Sequence, residues 1–181
     1  MELLPKRFSF LAGKQRLKIV DRMGVLINGA IWVDRKNKAS RHKSKEKMLK
    51  KLGRGKSLLI FPEGTWNLEP SKPMLPLFFG IIEIAQKTNA PIIPLSLEYV
   101  EDKCVIKYAD VLTSRAGEDK LLQIENLRDT MATLKWEIWE TFPTIKRAEL
   151  ADDYWDKEVA KRLGEYKLLD YEYEMSCVRK E

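Results

Sequence analysis

Residues 61–65 (FPEGT) place a carboxylate and a hydroxyl beside a glycine, the combination in this sequence best suited to binding a ligand. They follow an apolar run at 57–61 that predicts a strand buried on both faces of a parallel sheet. In an open α/β sheet, ligands bind outside the carboxyl ends of the strands. Gly64 permits close backbone approach, while Glu63 and Thr65 supply the polar groups. The segment therefore predicts a binding loop, the alternative being an ordinary turn after a strand.

Two further segments extend this pattern. Residues 29–35 (GAIWVDR) end in Arg35, and Arg is the preferred bidentate ligand of a phosphate. Residues 90–95 (APIIPL) form an apolar stretch with Pro94 inside it. In their order and spacing, these segments and FPEGT resemble the second, third and fourth motif blocks of the glycerolipid acyltransferases, whose type member acylates 1-acylglycerol-3-phosphate. The resemblance covers roughly residues 8–115.

The resemblance implies transfer of a fatty acyl group from acyl-CoA or acyl carrier protein to the hydroxyl of a lysophospholipid-type acceptor, in phospholipid biosynthesis. Arg35, Glu63, Gly64 and Thr65 would bind the acceptor, with Arg35 and Glu63 close together and Thr65 beside them. Pro94 would lie on the acyl-donor side or be structural. No cofactor beyond the acyl donor, and no metal, is expected. The alternatives are a non-catalytic, lipid-binding peripheral membrane protein and, ranked lower, a basic nucleic-acid-binding domain.

The sequence departs from the family at its catalytic base. The family uses a His-x4-Asp pair, but the single histidine, His42, has Lys47 five positions on and is expected to be a solvated residue of a basic helix. We therefore predict no catalytic residue in this chain, through truncation or genuine loss, and little or no activity of the 181 residues. An in-frame His-x4-Asp encoded upstream would distinguish the two. Trp66 and the pair 78–79 (FF) stand where the family has cations. All three would face an acyl chain or the membrane, the alternative for 78–79 being core residues of a helix.

Charge divides the chain into a basic and an acidic part. Residues 1–56 hold 17 Lys/Arg against 4 Asp/Glu, whereas residues 57–181 hold 16 against 23. A predicted helix at 41–52, capped by Ser40 and ended by Gly53, carries much of the positive charge. We expect it to contact an anionic membrane surface, with no nucleic acid bound, on a cytoplasmic protein peripheral to the inner face of the membrane. No apolar run reaches the roughly 18 residues of a spanning helix, and no signal peptide is recognisable.

The remaining patterns give the elements that must position these residues. Alternating strands and helices predict an α/β fold, with a mixed, mostly parallel sheet flanked by helices, as in the acyltransferases. The chain divides into an acyltransferase-like domain at 1–149, lacking the first catalytic block, and an acidic, aromatic extension at 150–181 that packs on the domain or trails it. Predicted strands are 25–33, 57–61, 92–100 and 104–112, and predicted helices are 14–23, 41–52, 76–88 and 118–142.

Overall fold

A computed structural model describes residues 8–13, 29–69, 72–100, 103–143, 145–165 and 170–179. The helix predicted at 14–23 and the first part of the strand predicted at 25–33 lie outside these ranges.

A three-stranded parallel sheet positions the loop FPEGT. Strand β1 (Phe8–Gly13) pairs in parallel with β2 (Ile31–Val33) on one side and with β3 (Ser57–Leu59) on the other. Because all three run in the same direction, their carboxyl ends meet at one edge of the sheet.

The strand predicted at 57–61 is shorter and less buried than expected. Its three residues are half-buried, and among the described strands β3 pairs along one side only. Phe61, predicted to be buried, is 56% exposed. Pro62 cannot donate a ladder hydrogen bond, so the chain leaves the sheet before it. The loop FPEGT consequently begins at the sheet edge and is open to solvent on one side.

Helix α1 (Lys38–Leu52) is the predicted basic helix, and it begins earlier than predicted. Its N-cap is Asn37, whose side-chain oxygen accepts the Ser40 N–H at 3.0 Å. Ser40 lies in the first turn instead, where its hydroxyl accepts the Asp34 N–H at 2.9 Å. The predicted Ser40 cap is therefore wrong, because Asn37 makes that contact three residues earlier, while the predicted end at Gly53 is confirmed.

The next elements are helix α2 (Gly80–Thr88), strands β4 (Leu95–Val100) and β5 (Lys103–Tyr108), and helix α3 (Lys120–Trp139). Residues 76–79, predicted as the first turn of α2, precede the helix. The two strands pair antiparallel as a hairpin. With the parallel strands and the flanking helices, this arrangement confirms the α/β class.

The chain ends in a 3-10 helix (Arg147–Glu149) and in helices α4 (Tyr154–Glu165) and α5 (Tyr171–Met175). This region contacts the preceding residues through side chains that donate to backbone oxygens. Trp155 Nε1 donates to the Leu68 carbonyl at 2.8 Å, and Arg179 Nη1 donates to the Leu77 carbonyl at 2.6 Å. The C-terminal residues thus lie against the segment that follows the loop FPEGT.

Two apolar clusters fix the helices. The first joins α2 to α3 and to the segment before α2, through Met74, Leu77, Ile82, Ile124 and Leu127. The second joins α1 to the parallel sheet and α2, through Ile31, Met48 and Ile84, with Leu49 and Leu52 packed against it. The narrow apolar stripe of α1 therefore faces the core, and its exposed face is cationic. Within the described ranges, no helix is long and apolar enough to cross a bilayer.

Candidate anion-binding site

The candidate site lies where the carboxyl ends of the three parallel strands converge. Gly13 ends β1, Arg35 follows β2 by two residues, and the loop FPEGT follows β3. A Cβ at residue 13 would lie 3.5 Å from Arg35 Nε, so the guanidinium passes close to the β1 backbone. Arg35 Nη1 donates to the Gly64 carbonyl at 2.5 Å. The parallel sheet therefore brings Arg35 and FPEGT together, as the sequence predicts.

The loop FPEGT owes its shape to a glycine in the left-handed region. Gly64 has φ +69°, and its N–H donates to the Phe61 carbonyl at 3.1 Å. Phe78 N–H closes the loop from the other side by donating to the Pro62 carbonyl at 2.9 Å. The Phe78 ring covers Gly64 so closely that a Cβ there would lie 2.8 Å from Cε2 of the ring. Glycine is required here both by φ and by the ring.

A carboxylate from helix α5 occupies the centre of the site. Glu174 accepts two hydrogen bonds from the Arg35 guanidinium, at 2.7 Å from Nη1 and 2.6 Å from Nη2. Thr65 Oγ1 lies 2.6 Å from the same carboxylate and 3.0 Å from the Glu174 carbonyl oxygen. The Glu174 side chain is only 4% exposed. Arg35 and Thr65 thus bind one buried anion from two sides, in the bidentate geometry that Arg forms with carboxylates and phosphates.

The electrostatics agree with a bound anion. Burial by itself lowers the Arg35 pKa, but the hydrogen bonds and negative charge of Glu174 outweigh it, so this pKa is raised. Burial likewise raises the Glu174 pKa, but hydrogen bonds from Arg35 and Thr65, the Arg35 charge and a backbone hydrogen bond from Trp66 together lower it. Both groups are therefore charged at neutral pH.

In the described hydrogen bonds, the Glu63 carboxylate binds the backbone and the Arg35 guanidinium binds Gly64 and Glu174. Glu63 Oε2 accepts the backbone N–H of Leu75 at 2.7 Å, and burial raises the Glu63 pKa against the lowering effect of that hydrogen bond. Arg35 and Glu63 are expected to lie close together with Thr65 beside them. Arg35 contacts Gly64, the residue after Glu63, and Thr65 shares its Glu174 contact, while the Glu63 carboxylate bonds to a buried backbone donor in the segment before α2. The carboxylate opposite Arg35 is Glu174, 139 residues along the chain from it.

Sequence reasoning missed Glu174 because no local pattern connects it to Arg35. The only hint is that acidic and aromatic residues alternate at 170–174 (DYEYE). Tyr173 adds a second contact, since the Arg35 Cζ and the Lys36 Nζ lie 4.8 and 4.9 Å from the centre of its ring. Helix α5 therefore docks by an ion pair and by cation–π contacts to two adjacent cations.

The other residues singled out in the sequence lie away from this cluster or at its rim. Pro94 is fully buried and its carbonyl accepts the Ala109 N–H at 3.0 Å, which favours a structural role over contact with an acyl donor. The His42 side chain is 75% exposed and lies 3.4 Å from Glu46, so its placement as a solvated residue of the basic helix is confirmed. Phe78, expected within a helix core, precedes α2 and is 42% exposed.

An open cleft of about 370 Å³ gives solvent access beside Arg35. Three cations and one aromatic ring line it on one side, and the residues after α5 line it on the other. The lining residues are Arg35, Lys36, Arg41, Phe78, Ser176, Cys177 and Val178. The concentration of positive charge suits an anionic ligand. Among the described residues, no group of His, Cys, Asp or Glu side chains could hold a metal ion.

Comparison with known proteins places these observations in a family. The family model described as Acyltransferase matches residues 1–98, over half of the chain. The crystal structure of the 1-acyl-sn-glycerophosphate acyltransferase PlsC from Thermotoga maritima is similar to 76% of this chain, with a TM-score of 0.57 and 14% sequence identity. The match covers 59% of that PlsC chain. No curated protein matches in sequence. The fold, the motif blocks and the family match agree, and the chain belongs to the acyltransferase family.

Proposed function

We propose that this chain binds the phosphate-bearing acceptor of a glycerolipid acyl transfer, a lysophospholipid such as 1-acylglycerol-3-phosphate. The observation that carries the proposal is the convergence of Arg35 and Thr65 on one anion at the carboxyl edge of the parallel sheet. A phosphate presents oxygens to an Arg fork as a carboxylate does. The carboxylate of Glu174, held by both residues, supports an anionic ligand for this site.

In the proposed reaction, the acceptor hydroxyl attacks the thioester carbonyl of acyl-CoA or acyl carrier protein. A new C–O bond forms, the C–S bond breaks, and the thiol leaves with the proton that the hydroxyl has lost. A free hydroxyl is a weak nucleophile at neutral pH, so a general base speeds such a step by typically about 10²–10⁴-fold. The family's His-x4-Asp base is not among the 181 residues. We therefore expect this polypeptide to bind the acceptor and to transfer acyl groups very slowly or not at all.

The decisive comparison is between 1-acylglycerol-3-phosphate and the uncharged 1-acylglycerol of the same short chain, both below their aggregation concentrations. Calorimetry on the wild type and on Glu174→Gln should show tighter binding of the phosphate form, by about tenfold or more, because hydrogen bonds to charged groups are strong. Arg35→Lys, which keeps the charge and loses the fork, should reduce the preference. Equal binding of the two lipids to both proteins would contradict the proposal.

A non-catalytic lipid-binding role is the second candidate, and the exposed position of the only histidine favours it. The two roles differ in their second substrate. An acyltransferase also binds the acyl donor, whereas a lipid-binding relative needs only the lysophospholipid. Binding of a non-hydrolysable thioether analogue of acyl-CoA, or of acyl carrier protein, in the presence of acceptor would support the enzyme. Acceptor binding with no donor binding would support the alternative.

We also propose that the exposed face of α1 contacts an anionic membrane surface, on a cytoplasmic protein at the inner face of the membrane. Lys43, Lys47 and Lys50 are exposed on this helix, while its apolar residues face the core. Charge must therefore supply the attraction, at about 1 kcal/mol per residue near anionic lipid.

Flotation with anionic against neutral vesicles tests the membrane contact. Binding should require anionic lipid, weaken as salt rises, and disappear in Lys43→Glu/Lys47→Glu/Lys50→Glu, a variant that keeps its fold because exposed charges contribute little to stability. Nucleic-acid binding is also salt-dependent, so duplex and single-strand shift assays are run at the same salt. Tight nucleic-acid binding without preference for anionic vesicles would overturn the membrane contact.

A further inference from the structure

Glu174 of helix α5 makes the contacts to Arg35 and Thr65 that a bound anionic ligand would make. The carboxylate has both oxygens on the Arg35 fork and a third hydrogen bond from Thr65. Arg35 and Thr65 each come from a segment that follows a parallel strand, whereas Glu174 comes from the far end of the chain. An anion from elsewhere in the sequence therefore fills a site built by the sheet.

The fit of this internal anion is incomplete. Arg35 Nε, although buried, has no hydrogen-bond partner in the described part of the structure. The cleft beside Arg35 stays open to solvent and is lined by Lys36 and Arg41 as well. A second anion can therefore approach Arg35 while α5 is still docked, and a doubly charged group would gain more from three cations than a carboxylate does.

The attachment of α5 is also small enough to be displaced. The helix has five residues, Tyr171–Met175, and among them Glu174 and the ring of Tyr173 contact Arg35, Lys36 and Thr65. Its N-cap, Asp170, accepts the Tyr173 N–H at 2.9 Å, so the helical turn is partly stabilised within itself. The contacts between α5 and the site thus centre on the Glu174 ion pair, while Arg179, four residues after the helix, holds the following residues to the Leu77 carbonyl.

From these observations we propose that Glu174 is an internal competitor of the acceptor phosphate, so that α5 must leave the Arg35–Thr65 site before a phosphate monoester occupies it. The inference rests on the proposed function, since it takes this site to be the one that holds the acceptor's phosphate. Docked α5 keeps the chain in a closed, low-affinity state, and the apparent affinity for phosphate is reduced by the fraction of molecules in which the site is free.

Inorganic phosphate is the probe that tests this competition without the lipid. Glu174→Gln removes the charge and keeps the shape, and it should tighten phosphate binding by about 10- to 100-fold. The matched control is Glu172→Gln, which removes the same charge from an exposed position of the same helix and should leave the affinity unchanged. Equal phosphate affinity in the two variants would overturn the inference and show that the ion pair is only structural.

A second measurement uses the wild type and so does not depend on the folding of a variant. Phosphate, compared with chloride at the same ionic strength, should speed amide hydrogen exchange in residues 171–178, because α5 is displaced. Unchanged exchange at saturating phosphate would contradict the competition. A different result would contradict the proposed function alone. If Glu174→Gln binds phosphate more tightly but does not prefer 1-acylglycerol-3-phosphate to 1-acylglycerol, Glu174 competes with phosphate as inferred, and the acceptor is a different phosphate compound.

Discussion

Replacing Gly64 by alanine should destabilise the protein more than the same replacement at Gly55, although both glycines have nearly the same backbone conformation. Gly64 has φ +69° and Gly55 has φ +68°. Each alanine therefore carries the same left-handed strain, about 1–2 kcal/mol. Only at Gly64 does a Cβ meet another group, 2.8 Å from Phe78 Cε2; at Gly55 nothing lies within 4 Å.

The size of the difference follows from the Phe78 ring. Overpacking costs typically about 1–3 kcal/mol, and the lower end applies here because a ring that is partly exposed can turn away. We expect Gly55→Ala to lower the free energy of unfolding by about 1–2 kcal/mol and Gly64→Ala by about 2–3 kcal/mol. For a chain of this size, each kcal/mol corresponds to about 2–4 °C in Tm.

Urea unfolding of the two variants, each also in a Phe78→Ala background, measures the ring's share. In that background Gly64→Ala should cost no more than Gly55→Ala, because the obstructing ring has gone. Equal destabilisation by the two alanines in the presence of Phe78 would refute the packing of this ring on the loop FPEGT. If Gly64→Ala still destabilises the protein more than Gly55→Ala in the Phe78→Ala background, the Phe78 ring is not the cause of the difference.

Three further predictions concern Glu63, Glu174 and Asp119. Glu63→Ala leaves the buried Leu75 N–H without an acceptor and should lower the free energy of unfolding by about 1–3 kcal/mol. Glu63→Gln keeps an acceptor and removes the charge of a buried carboxyl group whose pKa is raised, so it should be neutral or stabilising at pH 7. Equal losses for the two variants in urea unfolding would contradict this. The pKa of Glu174 is lowered in the folded state, so its contribution is fully present above the ordinary carboxyl pKa of about 4.3 and is lost as pH falls through the folded value. Pepsin should therefore cleave the C-terminal residues faster at pH 2 than at pH 4.5 relative to an unstructured control peptide, and a constant ratio would be evidence against the docking ion pair. Asp119→Ala removes the N-cap of α3 and should lower stability by about 1 kcal/mol, with Asp119→Asn as the control that retains the cap. No loss in Asp119→Ala would show that the cap contributes nothing, and an equal loss in Asp119→Asn would show that the hydrogen bonds are not the cause.

The sequence predicts those parts of the site that local chemistry determines. Arg35, Gly64 and Thr65 follow parallel strands, and strands that run in the same direction must end at the same edge, so their meeting is predictable from the motif order. Contacts between residues far apart in the sequence cannot be predicted in this way. Glu63 turned to the Leu75 N–H and Glu174 took its place opposite Arg35, and neither partner is indicated by periodicity or spacing.

The fold shows the same division. Helix α3 and strands β4 and β5 follow from the apolar patterns of the sequence and lie within about three residues of the predicted bounds, apart from the end of β5, whereas their antiparallel pairing is seen only in the structure. The boundaries differ where two side chains compete for one role, as with Asn37 and Ser40 at the start of α1. Strand β3 is shorter than its apolar run: it pairs with β1 only as far as Phe10↔Leu59, and Pro62 cannot resume the ladder afterwards. Hydrophobicity thus predicts the elements, and individual hydrogen bonds decide where they end.

The central claim is that Arg35 binds the phosphate of the acceptor, and ³¹P NMR of 1-acylglycerol-3-phosphate tests it most directly. The second pKa of a phosphate monoester lies near 6, and a guanidinium on its oxygens favours the dianion. With saturating Glu174→Gln protein, the ³¹P titration should shift to lower pH, and the shift should shrink when Arg35→Lys is added. A ³¹P titration that is the same with bound and free lipid, or that does not depend on Arg35, would contradict the claim.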